Sequence, residues 1–119
     1  MKWYISKLIY QIICGDGNHT PQFDEQLRII HADDDLHAFQ KARLLGHREE
    51  DSFLNNESKP VHWKFIDICE LHEIDPLIDG AELYSRIHEQ DDASAFKKNI
   101  YRRATYLLEH CEQETIVLN

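Results

Sequence analysis

The sequence predicts an α+β fold: a two-layer sandwich of a four- to five-stranded, mainly antiparallel sheet with two helices on one face. Strand-like alternation recurs in several separate stretches, and two acidic clusters each precede apolar residues at spacings of three and four. A length of 119 residues gives room for one domain, 1–119, built around one core.

The elements follow in chain order. From Trp3 to Ile13 the residues are β-branched and aromatic, with Tyr4, Leu8, Tyr10 and Ile12 on one side and Trp3, Lys7 and Gln11 on the other. Gly15-Asp16-Gly17-Asn18 tolerates positive φ, so the chain reverses there and returns as a second strand through Gln26 to Ala32. Asp33-Asp34-Asp35 offers acceptors to unpaired helix N–H groups, and Leu36, Phe39, Ala42, Arg43 and Gly46 follow at helical spacing, giving a helix from about Asp34 to Glu49. Ser52 to Pro60, rich in Asn, Ser, Glu and Lys, reads as a loop.

Val61, Trp63, Phe65, Cys69 and Leu71 then alternate with His62, Lys64, Ile66, Ile68 and Glu70 in a third strand. Pro76 and Asp79-Gly80 punctuate a turn, after which Ala81, Leu83, Ser85 and Ile87 oppose Glu82, Tyr84, Arg86 and His88 in a fourth. Asp91 or Asp92 caps a second helix whose Phe96, Ile100, Ala104, Leu107, Leu108 and Cys111 carry it to about His110. Thr115 to Leu118 is left between a short fifth strand and a frayed end.

Ile30-His31, Asp34-Asp35, Ala38-Phe39 and Lys41 recur at a constant offset as Ile87-His88, Asp91-Asp92, Ala95-Phe96 and Lys98. Capping chemistry accounts for the aspartates but not for the Ile-His and Ala-Phe pairs, so a repeated strand-helix unit is weighed against coincidence. Either way, both helices are expected to leave the same end of one sheet.

The formal net charge of −9 repels phosphate backbones and anionic lipid surfaces, which argues against nucleic acid and membrane as partners. The one basic cluster, Lys97, Lys98, Arg102 and Arg103, lies in a helical stretch beside Asp91, Asp92 and Glu109 and reads as a solvated helix face. Eight histidines carry the charge towards neutrality on protonation, so solubility should fall towards the sequence pI of about 5.2. Apolar runs are too short to span a bilayer, and Met1-Lys2-Trp3-Tyr4 opens straight into strand-like sequence without the pattern of a signal peptide. Three widely separated cysteines do not make a disulfide framework, so a cytoplasmic location with reduced thiols is expected.

Several stretches together are similar to a small bacterial family known as domain of unknown function 4288. They are Trp3-Tyr4, the acidic cap with Ala38-Phe39 and Lys41-Ala42, Trp63-Lys64-Phe65, and the run Asp79-Gly80-Ala81-Glu82-Leu83-Tyr84-Ser85-Arg86. The resemblance covers roughly Trp3 to His88 and implies a bacterial single-domain protein. It brings no catalytic residues with it.

No GxGxxG, GxxxxGK[ST] or HExxH occurs, so neither a catalytic residue nor a cofactor is assigned. Cys69-x-x-His72 and adjacent His110-Cys111 fall short of a zinc ligand set; Cys69 is placed on the inner side of the third strand, and no metal is assigned. Ser85 lacks a nucleophile elbow, and Asp79 with Glu82 is better explained as turn chemistry. The candidate site is instead the sheet's second face. With Trp63, Phe65, Leu83 and Ile87 towards the helices, alternation sends His62, Lys64, Glu82, Tyr84, Arg86 and His88 to the other side. Ile66 and Ile68 join them, with Trp3, Lys7, Ile9 and Gln11 from the first strand. Such a semi-apolar face suits a second copy or another protein, so a non-enzymatic, self-associating or protein-binding module is the leading expectation. The acidic shell suits a basic partner, as in an immunity-like inhibitor. The alternative is a small anionic ligand, or a small enzyme, using His62, Tyr84, Arg86 and His88 as a clamp.

Overall fold

The computed structural model describes residues 1–118, with side chains through Cys111. The chain divides into two compact units, Met1–Ser85 and the remainder from Arg86 onward. The first holds β1 (Lys2–Cys14), β2 (Gln22–Ala32), α1 (Asp35–Arg48), β3 (Asp51–Leu54) and β4 (Pro60–Ile74); the second holds α2 (Ala93–Leu118). The four strands form one antiparallel sheet in the order β2-β1-β4-β3.

β1 lies at the centre because it is apolar on both faces: Tyr4, Ser6, Leu8 and Tyr10 are buried on the α1 side, and Ile5 is buried on the other. The hairpin to β2 closes where expected, with Gly15 and Gly17 at φ of 60° and 82° and the Asp16 carboxylate accepting the Asn18 N–H at 2.9 Å. β2 begins four residues earlier than expected, at Gln22 rather than Gln26, with Phe23 and Asp24 continuing the pairing opposite Gln11 and Tyr10.

Asp34 caps α1, its carboxylate accepting the His37 N–H at 2.8 Å. The buried stripe of α1 is made of small residues, Ala38, Ala42 and Gly46, whereas Leu36 is exposed. Small residues bring the helix axis close to the sheet. The Tyr10 hydroxyl reaches the Gly46 carbonyl at 2.9 Å, and Phe65 lies directly against Gly46. At the other end of the helix, Tyr4 packs with Ile30, Ala32, Ala38 and Ala42. Burial and then the Asp35 carboxylate push its phenol above the ordinary range.

Three sequence expectations are corrected here. The Ser52–Pro60 loop contains an edge strand, β3, turned back on β4 by Asn55, whose side-chain oxygen accepts the Glu57 and Lys59 N–H groups at 2.9 and 3.0 Å. All four β3 residues are exposed, so no hydrophobic pattern marked it. The expected fourth strand, Ala81 to His88, forms no ladder; four strands arise because β3 supplies the fourth. Leu83 and Ile87 are accordingly exposed rather than core-facing.

The third correction is one of parity. β1 and β4 slip register twice, leaving Ile66 and Cys69 without partners between Phe65↔Tyr10, Asp67↔Ile9, Ile68↔Leu8 and Glu70↔Lys7. Each bulge shifts the alternation by one. Ile68, expected on the second face, therefore packs into the core with Leu71, and Cys69, expected inside, is exposed.

In the second unit Asp92 caps α2, accepting the Ala95 N–H at 3.0 Å, and the helix runs on through Leu118 instead of yielding a terminal strand. The apparent repeat does not become a structural one. Its Ile87-His88 lies in irregular chain, and its cap, Asp92, matches Asp35 rather than the α1 cap Asp34.

Candidate functional site

The second sheet face is set by the odd positions of β1 and their neighbours. Register brings Trp3, Ile5, Lys7 and Ile9 level with His31, Ile29, Leu27 and Glu25 of β2, and brings Ile5 and Lys7 level with His72 and Glu70 of β4. Trp3 stacks on His31 with ring centroids 4.1 Å apart.

This face has two halves of different character. Over β4, the chain following Ile74 folds back: Gly80 takes φ of 85° to close a turn, with the Ala81 N–H on the Ile78 carbonyl at 3.0 Å. Tyr84 then reaches the sheet, its ring 4.9 Å from His72 and its hydroxyl donating to Glu70 at 3.3 Å. Glu70 also pairs with Lys7 at 3.3 Å. Burial works to raise the Glu70 carboxyl pKa, but Lys7 and the Tyr84 hydroxyl outweigh it and hold the group below its ordinary range; hydrogen bonding to Glu70 raises Lys7 in turn. Segment 75–85 is thus held by side chains rather than by a backbone ladder.

Over β2, nothing in the first unit covers the sheet. Odd residues of β2 alternate outwards, leaving Phe23, Leu27 and Ile29 at 56%, 61% and 52% exposure. Even residues turn to the α1 side, where Asp24 accepts from the Trp63 indole at 3.1 Å and Arg28 pairs with Glu49.

Within the first unit the sequence-derived site residues fall in two places. Tyr84 and Glu82 line one shallow depression of about 250 Å3 with His72, Glu73 and Asp75. His62 and Lys64 lie nearer the opposite end of β4, level with Ile13 and Gln11. Arg86 and His88 belong to the second unit, where His88 meets the Phe96 ring edge-on at 5.6 Å. The depression carries three carboxylates, which opposes an anionic ligand. Among the described residues no group of three or more His, Cys, Asp or Glu side chains is arranged to hold a metal. No described helix is long and apolar enough to cross a membrane. Phe23, Leu27 and Ile29 were missed as candidates, although their odd-numbered spacing was readable once β2 is extended back to Gln22.

The family model described as "Domain of unknown function (DUF4288)" matches residues 3–85. The chain belongs to the DUF4288 family. The match ends where the first compact unit ends, at Ser85, so α2 lies outside it. No curated protein and no solved structure matches the chain.

Proposed function

We propose that the DUF4288 unit of this chain is a non-enzymatic protein-interaction module that uses the outer face of β2. The observation that carries the reading is the exposure of Leu27 and Ile29 side by side, with Phe23 beyond Glu25, on one face of a strand; at 52–61% exposed, each has roughly half of its surface left to bury, a gain of about 1 kcal/mol each. A rigid sheet backed by α1 presents them without an ordering cost, and β2 is an edge strand along its whole length. The anionic-ligand alternative draws less support, because His62 lies towards the other end of β4 from Tyr84 and the depression near Tyr84 is acidic.

The test compares wild type with a Leu27→Glu, Ile29→Glu variant, whose side chains are exposed and whose fold should survive. Light scattering over a concentration series and capture on immobilised protein are the readouts. Association or capture that the variant loses supports the reading. Identical behaviour of the two proteins in both assays removes it.

A further inference from the structure

α1 turns back along β2 and leaves a cleft beside it. Lys41 donates to the His31 carbonyl at 2.7 Å, and about two turns further on Glu49 pairs with Arg28, so helix and strand run in opposite directions. The cleft between them has a volume of about 360 Å3, within the range of small-molecule sites. Leu44 and Leu45 of the helix and Ile29 and Ile30 of the strand give it an apolar middle. Trp3 joins at the Lys41 end, level with His31, its indole stacked on the imidazole with centroids 4.1 Å apart.

The charges that border this cleft are of one sign. Lys41 and Arg48 line it, and no Asp or Glu does. The rest of the first unit is the opposite, with sixteen Asp and Glu against eight Lys and Arg in all. Five of those eight cations, Lys2, Lys7, Arg28, Arg43 and Lys59, pair with a carboxylate. Lys41 binds only a neutral carbonyl, and Arg48 makes no hydrogen bond or ion pair among the described residues. Glu49, beside Arg48 in the chain, is already engaged by Arg28. Of the three cations left without a carboxylate, two therefore border one cavity, and the third, Lys64, lies on β4. The Lys41 ammonium keeps two N–H donors and Arg48 its whole guanidinium fork for an acceptor from outside the chain.

Lys41 and Arg48 stand seven residues apart on α1, which sets their Cα atoms about 10 Å apart along the helix axis and within about 20° around it. One cation thus lies towards each end of the stretch that Leu44 and Leu45 occupy. We propose that this cleft binds an elongated organic dianion, with one acid group paired to Lys41, a second paired to Arg48 and an apolar body laid against Leu44, Leu45, Ile29 and the Trp3 ring. The cavity sets the size of the ligand, the two uncompensated cations set its charge, and their separation sets its length. The site shares Ile29 with the outer face of β2 but does not rest on the protein-interaction reading above.

Decanedioate, whose extended chain matches the spacing of the two cations, is the probe. Titrations of the full-length protein at low salt follow the Trp3 indole N–H by NMR, beside decanoate, which keeps one carboxylate, and butanedioate, which keeps two on a short chain. Decanedioate should bind at millimolar concentration and shift the Trp3 signal, with each of the other probes at least about fivefold weaker. Lys41→Gln and Arg48→Gln replace exposed helix residues with a good helix former, so the fold should survive, which thermal unfolding checks. Each should weaken decanedioate about fivefold, and in Arg48→Gln its advantage over decanoate should vanish. Lys64→Gln removes the one uncompensated cation outside the cleft and should leave the affinity unchanged. No Trp3 shift at any decanedioate concentration, an affinity indifferent to Lys41→Gln or Arg48→Gln, a loss in Lys64→Gln equal to theirs, or wild-type binding of decanoate as tight as that of decanedioate each overturns the proposal.

Discussion

Gly46→Ala puts the spacing between α1 and the sheet to a direct test. In an ordinary helix interior the change stabilises by about 1 kcal/mol, because alanine loses less backbone entropy. At Gly46 a Cβ would stand 2.3, 2.4 and 2.6 Å from Cε1, Cζ and Cδ1 of Phe65, whereas carbon atoms pack at about 3.5–4.0 Å. Phe65 is a poor candidate for yielding: its ring is buried, tilted against Tyr10 at 5.5 Å and edge-on to His47 at 4.8 Å. Overpacking of this kind costs about 2–3 kcal/mol. If α1 recedes to relieve it, the 2.9 Å bond from the Tyr10 hydroxyl to the Gly46 carbonyl is lost, for about 1 kcal/mol more. The net expectation is a loss of about 2–3 kcal/mol, read in urea unfolding followed by tryptophan fluorescence as a midpoint lowered by about 1–2 M. In a Phe65→Leu background the smaller side chain makes room, so the same substitution should cost at least about 1 kcal/mol less. A neutral or stabilising Gly46→Ala, or an equal cost in both backgrounds, would refute the reasoning.

Three further outcomes are expected. The Glu70 and Asp67 carboxyls are held below their ordinary values of 4.5 and 3.8, Asp67 chiefly by hydrogen bonds from Arg43. Their contribution to stability is present above those values and is lost as pH falls through the lower folded ones, whereas that of Lys7 is lost as pH rises above its ordinary 10.5. Lys7→Met should therefore move the Glu70 titration upwards by NMR, since burial is left less opposed; an unmoved titration rejects the pairing. Tyr84→Phe should speed exchange of the Ala81 amide, which is bonded to the Ile78 carbonyl, while changing global stability by less than about 1 kcal/mol, because the bond it deletes is exposed. Asp34→Ala should cost about 1 kcal/mol through loss of the bond to the His37 N–H, measured by thermal unfolding; no change would mean that the cap is redundant.

Much of the fold was legible because its signals are local. Alternation over Trp3–Ile13, glycines able to take positive φ at the hairpin, and carboxylates ahead of two helices each act within a few residues. β3 was illegible because an exposed edge strand has no buried face to imprint a pattern, and its ladder is made by backbone atoms every residue carries. The alternation of Ala81 to His88 misled for the opposite reason: period two records two environments, and here Tyr84 meets the sheet through its ring and hydroxyl without any strand pairing.

The site followed the same division. The existence of a second sheet face with Trp3, Lys7 and Ile9 upon it came from parity, which the sequence by itself determined for β1, whereas Tyr84 reaches that face without the strand its alternation suggested. The bulges at Ile66 and Cys69, the fold-back of segment 75–85 and the apolar exposure of β2 were decided only by the tertiary structure. Pairing register and surface coverage depend on which distant backbone arrives alongside, and one inserted residue inverts every side chain beyond it.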